Sequence, residues 1–169
     1  MSKLVESLAA YRDFHRDHRN VLTHAVGIPM IVLSVTVLLA RPVWEVAGMP
    51  VTPAVIGGIL AGIWYLRLSL SFGLLMVALL GLFIALGHQI AQISTLAWLG
   101  GGIGLFAVGW LFQFIGHHYE GRKPAFVDDL RSLLVGPLFM VVEGLFAVGL
   151  LGKLEQQVEQ RSRELPTSA

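Results

Sequence analysis

Phe14-His15-Arg16-Asp17-His18-Arg19-Asn20-Val21-Leu22-Thr23-His24 begins polar, ends apolar, and runs straight into Ala25-Val26-Gly27-Ile28-Pro29. His15, Asp17, His18, Asn20 and His24 crowd ten positions where a long uncharged run begins. That run extends from Val21 to Ala40, about the 20 residues an α-helix needs to span a bilayer. One other stretch is as polar at such a boundary: Trp110 to Phe126, with Gln113, His117, His118 and Glu120. The reading that follows is that the two stretches meet and bind one metal, and that the rest of the chain is a membrane scaffold holding them.

Composition agrees. Of 169 residues, 55% are hydrophobic and 14% charged, with mean hydropathy +0.72. Soluble domains carry about 25% charged residues, so this chain reads as an all-α integral membrane bundle. A net charge of +1 offers nothing to nucleic acid. No cysteine is present, which excludes disulfides, thiolate metal sites and cysteine nucleophiles. Met1 to Asn20 carries seven charged residues and no apolar segment, and does not read as a signal peptide.

Around the opening stretch, residues 1–17 read as an interfacial amphipathic helix with Leu4, Leu8, Tyr11 and His15 on one face. A break near Asp17, which can cap a helix starting at His18, matters for the chemistry. On one unbroken helix His15 and His24, nine residues apart, would lie about 180° apart and could share no ion. Spans follow at about 21–40, with a kink expected at Pro29, and at 51–66, 68–87, 93–116 and 133–152. Between them, 41–50 reads as a loop, Arg67 as a turn, and His88 and Gln89 as another. Gly100, Gly101, Gly102 and Gly104 allow close helix contact, and 153–169 is a charged tail within the same single domain. This gives five spans plus the N-terminal helix, or four spans if the short segment is re-entrant. Five spans put both histidine stretches on one membrane face, with eight Lys and Arg residues against four on the other. That bias makes the histidine face cytoplasmic.

The candidate metal ligands are His15, His24, His117 and His118. Asn20 and His24 share a helix face, as do Gln113, His117 and Glu120, whereas His118 sits about 100° from His117. Asp17, Asn20, Gln113, Glu120 and Glu143 are the candidate catalytic or ligand-orienting groups. Glu143 lies mid-span and needs a partner or a proton. Arg122 and Lys123 read as interfacial anchors or as the groups that take a substrate carboxylate. Imidazoles with carboxylate and water suit iron, zinc, copper or nickel, and two histidines with a carboxylate suit non-haem Fe(II). Two other classes stay open: a membrane haem or electron-transfer protein with axial histidines, and a non-enzymatic membrane module.

At these residues the chain resembles the membrane 2-hydroxy fatty acid dioxygenases, a family that includes a yeast endoplasmic-reticulum enzyme of phytosphingosine breakdown and many bacterial relatives. The first stretch contributes Phe14-His15, Asn20-Val21-Leu22, His24 and Pro29 to the resemblance. The second contributes Gly109-Trp110, Phe112-Gln113-Phe114, Gly116-His117, Glu120, Pro124-Ala125, Asp128, Pro137 and Glu143. Asp17 stands where that family often has asparagine, and 117–124 is one residue shorter than in the yeast protein. The resemblance implies an Fe(II) enzyme that uses dioxygen to shorten a long-chain 2-hydroxy fatty acid by one carbon, releasing carbon dioxide. It implies the inner membrane in a bacterium or the endoplasmic reticulum in a eukaryote.

Overall fold

Side chains at i, i+4 and i+7 decide how the chain begins. In the computed structural model, which describes residues 2–127 and 129–165 with the backbone alone for Phe126, helix α1 covers Lys3–Asp13. Ser2 caps it by accepting the Val5 N–H at 3.3 Å. Leu4, Leu8, Tyr11 and His15 are all buried, as their spacing predicts. Asp13 is also buried; it is held by Arg16 at 2.7 Å and Arg122 at 3.1 Å.

The remaining elements are α2 (His18–Leu38), β1 (Trp44–Val46), β2 (Met49–Val51), α3 (Pro53–Leu68), α4 (Leu70–Ile93), α5 (Gly102–Glu120), α6 (Ser132–Ala147) and α7 (Gly152–Glu164). A π-helical turn, Ala97–Gly101, leads into α5. Asp128 and residues 166–169, part of the resemblance and of the tail respectively, lie outside the described residues. Among the described residues three stretches are long and apolar enough to cross a membrane: His18–Leu38, Leu70–Ile93 and Ala97–Glu120. Pro53–Leu68 and Ser132–Ala147 are apolar but shorter. Leu60, Leu74, Leu82 and Ile103 stand more than half exposed on these helices, which suits lipid and not water.

Two compact units divide the chain. One comprises residues 1–28 and 111–169, the other 29–110. The second is held by close backbone approaches. α3 and α4 pair across Ser69, where Gly73 lies so near Leu66 and Tyr65 that a Cβ would fall 2.6 Å from the Leu66 Cα. Gly87 meets Thr36 in the same way, and Thr36 Oγ1 donates to the Phe83 carbonyl at 3.0 Å. Of the glycines expected to bring helices together at 100–104, Gly102 does so against Leu38; nothing lies within 4 Å of a Cβ on Gly104.

Two expectations change here. Residues 41–50 are not simply a loop: Val46 and Met49 close a two-residue hairpin whose turn, Ala47-Gly48, has φ of 51° and 77°. Such turns favour Asn-Gly or Asp-Gly, so alanine at the first position masks the signal. His88 and Gln89 mark no turn; α4 continues through them to Ile93. His88 Nδ1 donates to the Ile84 carbonyl at 2.8 Å, and its Nε2 lies 3.0 Å from Thr52 Oγ1. A histidine whose ring nitrogens are both hydrogen-bonded within its helix and to a neighbouring threonine does not break a helix.

In the first unit α1 packs against α6 and α7. Val158 and Ser162 of α7 are buried, Arg161 lies 3.0 Å from Glu6, and Arg12 bonds both Glu143 of α6 and Glu159 of α7 at 3.0 Å. The charged segment after residue 152 is therefore an ordered helix lying along α1 as far as Glu164.

Gly87→Ala should lower thermal stability in detergent or nanodiscs, by roughly 1–3 kcal/mol, because the Thr36 backbone cannot easily yield. Gly81→Ala, on the same helix with open space around its Cα, should be neutral or stabilising by up to about 1 kcal/mol. Equal unfolding midpoints for the two variants would contradict this packing.

Candidate metal centre

Helix α1 ends at Asp13, four residues turn, and α2 begins at His18. The break allows His15 to fold back beside His24, one and a half turns into α2. Helix α5 brings His117 to the same place. The ring centroids lie 4.5 Å apart for His15 and His24, 5.1 Å for His15 and His117, and 4.9 Å for His24 and His117. One nitrogen from each ring lies within 4.8 Å of the others, and all three residues are buried.

Hydrogen bonds fix the chemistry of two rings. His15 Nδ1 lies 2.8 Å from the Tyr11 carbonyl and His24 Nδ1 lies 2.9 Å from the Asn20 carbonyl. A carbonyl only accepts, so each Nδ1 carries the proton and each Nε2 presents a lone pair. His15 Nε2 and His117 Nδ1 are buried with no hydrogen-bond partner among the described residues. Buried polar atoms are rarely left so. Burial holds the His15 pKa well below its usual value, with His24 the next cause. A bare cluster of uncharged imidazoles with orphaned nitrogens is costly; the same cluster around a cation satisfies each of them. The residues therefore fit a transition metal of the imidazole-binding group, iron, zinc, copper or nickel. The donor set is three histidines, with no carboxylate among them.

Glu120, a candidate catalytic or ligand-orienting group, lies outside the donor set and bonds the α1–α2 turn. Glu120 Oε1 accepts the Arg16 N–H at 2.9 Å; its Oε2 accepts the Asp17 N–H at 2.9 Å and Asn20 Nδ2 at 3.0 Å. One side chain at the end of α5 thus clasps the α1–α2 turn and fixes where His15 sits. Asn20 Nδ2 also donates to the Phe14 carbonyl at 3.3 Å. Gly116 lets α5 approach α2: a Cβ there would run into Thr23 Oγ1 and Asn20 Oδ1 and come 3.0 Å from His24 Nδ1. α5 then stops where Gly121 turns to φ 70° and its N–H returns to the His117 carbonyl at 3.0 Å. Tyr11 stacks on His15 at 4.1 Å, and Phe139 lies 5.9 Å from the same ring. The Phe139 wall, and the clasp as a unit, are invisible in sequence because their parts come from distant segments, whereas the spacing already puts Tyr11 on one helix face with His15.

The other candidates are placed as follows. His118 is exposed, 6.2 Å from the Tyr119 ring, and does not join the cluster. The regular 100° step past His117 carries it outward. Asp17 caps α2 through the Arg19 N–H at 2.8 Å, and the hydrogen bonds from Arg19 hold its carboxyl down to about 2. Gln113 is buried, with Nε2 unpartnered among the described residues. Glu143 pairs with Arg12. Arg122 bonds the Asp13 carbonyl at 2.8 Å and its carboxylate at 3.1 Å, and Lys123 is exposed. A cavity of about 350 Å³ touches His15; Arg12 and Arg16 line it, not Arg122 or Lys123.

Long apolar helices suit a membrane protein, and three buried histidines at one point could hold a metal ion. Residues 1–148 match the Mpo1-like family, described as 2-hydroxy-palmitic acid dioxygenase Mpo1-like, and the chain belongs to that family. It is 34% identical over 160 residues to 2-hydroxy-palmitic acid dioxygenase MPO1 of Saccharomyces cerevisiae, covering 92% of this chain and 87% of the yeast protein. No solved structure matches the chain.

Alanine at His15, His24 or His117 should abolish stoichiometric metal in purified protein, while His118→Ala and His88→Ala should retain it. Glu120→Ala should keep the three ligands yet weaken metal binding by roughly 10–100-fold, the usual cost of losing a group that positions ligands. Metal analysis after dialysis against graded chelator separates these outcomes. Wild-type metal retention in His117→Ala would remove it from the donor set.

Proposed function

We propose that this protein is an Fe(II)-dependent dioxygenase acting on long-chain 2-hydroxy fatty acids. The observation that carries the reading is the buried triad of His15, His24 and His117, with orphaned nitrogens, in a member of this family. The reaction balances as one 2-hydroxy acid and one dioxygen giving a fatty acid one carbon shorter, carbon dioxide and water. Iron held by the three histidines would supply redox chemistry and a site for both oxygen-containing reactants, which zinc, having no redox chemistry, would not.

The chain's own residues supply the rest. The Tyr11 and Asn20 carbonyls hold His15 and His24 in the tautomer that offers Nε2. Tyr11 and Phe139 cover His15 and keep water from it. Glu120 and Gly116 fix the approach of α5 to the α1–α2 turn. The acyl tail gains about 0.8 kcal/mol for each methylene kept out of water, so a site set in apolar helices favours long chains over short ones.

The same convergence bears on topology. For His24 and His117 to meet, the chain between them must cross the bilayer an even number of times. Among the described residues three helices are long and apolar enough by length and composition, and an even count supports α3 as a fourth crossing. Arg12 bonds both Glu143 of α6 and Glu159 of α7, which supports α6 and α7 as a hairpin that returns to the α1 face instead of a fifth crossing. Lys153, Arg161 and Arg163 then join the cations on the histidine side and Arg41 alone remains opposite, so the case for a cytoplasmic histidine face grows stronger.

Purified protein incubated with 2-hydroxypalmitate and Fe(II) in air should yield the acid one carbon shorter. Under nitrogen, with zinc in place of iron, or with palmitate as substrate, it should yield little. A product that forms equally under nitrogen rules out a dioxygenase, and no product from folded, iron-loaded protein favours a non-enzymatic module. For topology, the cysteine-free chain allows Lys3→Cys and Gln157→Cys to be labelled separately in sealed vesicles by a membrane-impermeant maleimide. Labelling from the same side is expected; labelling from opposite sides would restore a fifth span.

A further inference from the structure

The cavity beside His15 is polar, which an acyl chain would not choose. Arg12, Arg16, Glu143, Glu159 and Ser162 are among its walls. It suits the anionic end of a substrate, and the question is which cation receives that end. Arg122 is committed to Asp13, and Lys123 is exposed in the loop after α5. Arg16 is half exposed and bonds Asp13 at 2.7 Å and the Ser162 carbonyl at 3.3 Å. Arg12 differs. It is three residues from His15, its side chain is 23% exposed, and two carboxylates from different helices fix its plane. Glu143 takes Nη1 and Glu159 takes Nε, each at 3.0 Å, and neither bond uses Nη2.

From this placement we propose that Arg12 is the residue that binds the substrate carboxylate, with Glu143 and Glu159 setting how much of its charge is left for the incoming anion. The inference rests on the 2-hydroxy acid reading above. A guanidinium presents a planar fork that matches a carboxylate in two parallel hydrogen bonds, and lysine does not reproduce it. Holding that fork rigid reduces the entropy lost when the acid docks. The two acidic neighbours also have a defined effect. Each lowers the local positive potential, so removing one makes Arg12 a stronger anion site, whereas a purely structural ion pair would be damaged by removing either partner.

The test uses full-length, metal-free protein in nanodiscs, without oxygen, and measures equilibrium binding of 2-hydroxypalmitate and of its methyl ester, with protein-free nanodiscs subtracted. Wild type should prefer the acid. Arg12→Gln should weaken acid binding about tenfold and leave ester binding unchanged, and Arg12→Lys should fall between. Glu159→Gln should tighten acid binding. In iron-loaded enzyme, Arg12→Gln should raise KM for the acid far more than it lowers kcat. The proposal is overturned if wild type does not distinguish acid from ester, if Arg12→Gln weakens both alike, or if Glu159→Gln weakens acid binding as Arg12→Gln does. If wild type prefers the acid through Arg12 yet never turns it over, the dioxygenase reading fails and this inference stands. If turnover is normal while Arg12→Gln keeps the discrimination, the reverse holds.

Discussion

Three imidazoles buried together must either stay uncharged and leave lone pairs without partners, or hold a cation. That constraint organises the first unit of this protein. His15 and His24 each give their Nδ1 proton to a carbonyl four residues back, so neither ring is free to turn its lone pair elsewhere. The backbone of α1 and α2 therefore does the work that separate orienting side chains do at many metal sites. Glu120 completes the arrangement by reaching from α5 to the turn between the two helices. It is the natural counterpart to the helix break at Asp17: the break permits His15 to fold back, and the carboxylate decides where it stops.

Much of this was legible in the sequence. The apolar runs locate α2 to α6, and two polar stretches at their ends mark His15, His24 and His117, because ionisable residues at membrane boundaries are costly and seldom incidental. The helix break followed from the angle between positions 15 and 24. What was not legible has a common cause. Arg12 reads as an ordinary cation on the polar side of α1, and its partner Glu143 is 131 residues away. Tyr11 reads as part of an apolar stripe, and only the fold shows it lying flat against His15. His118 differs from His117 by one position, and the choice between them needs the rotation of α5 about its axis. Arg122 and Lys123 are suitable cations in the right loop, but Asp13, on a different helix, claims the first and solvent the second. Pattern and period give the elements; pairings between distant elements come from packing.

The α6–α7 region gives the site a second character. A metal centre set only among apolar helices would receive a fatty acyl tail readily and its carboxylate poorly. α7 is charged, with two described residues buried, and it lies along α1 chiefly through ion pairs. Exposed or half-exposed pairs of this kind are individually weak, but together with Val158 they place a polar wall beside His15. An amphiphilic substrate would thus meet a site of matching polarity, apolar on the helix side and charged on the α7 side.

The central claim is that His15, His24 and His117 together bind one iron ion. X-ray absorption spectroscopy of anaerobically prepared, iron-loaded protein tests it most directly, because imidazoles give characteristic scattering from the outer ring atoms. The account predicts a signal best described by three imidazoles on one iron, lost with the metal in His15→Ala, His24→Ala and His117→Ala, and unchanged in His118→Ala. A spectrum of oxygen ligands without imidazole scattering, or one that loses an imidazole in His118→Ala, would contradict it.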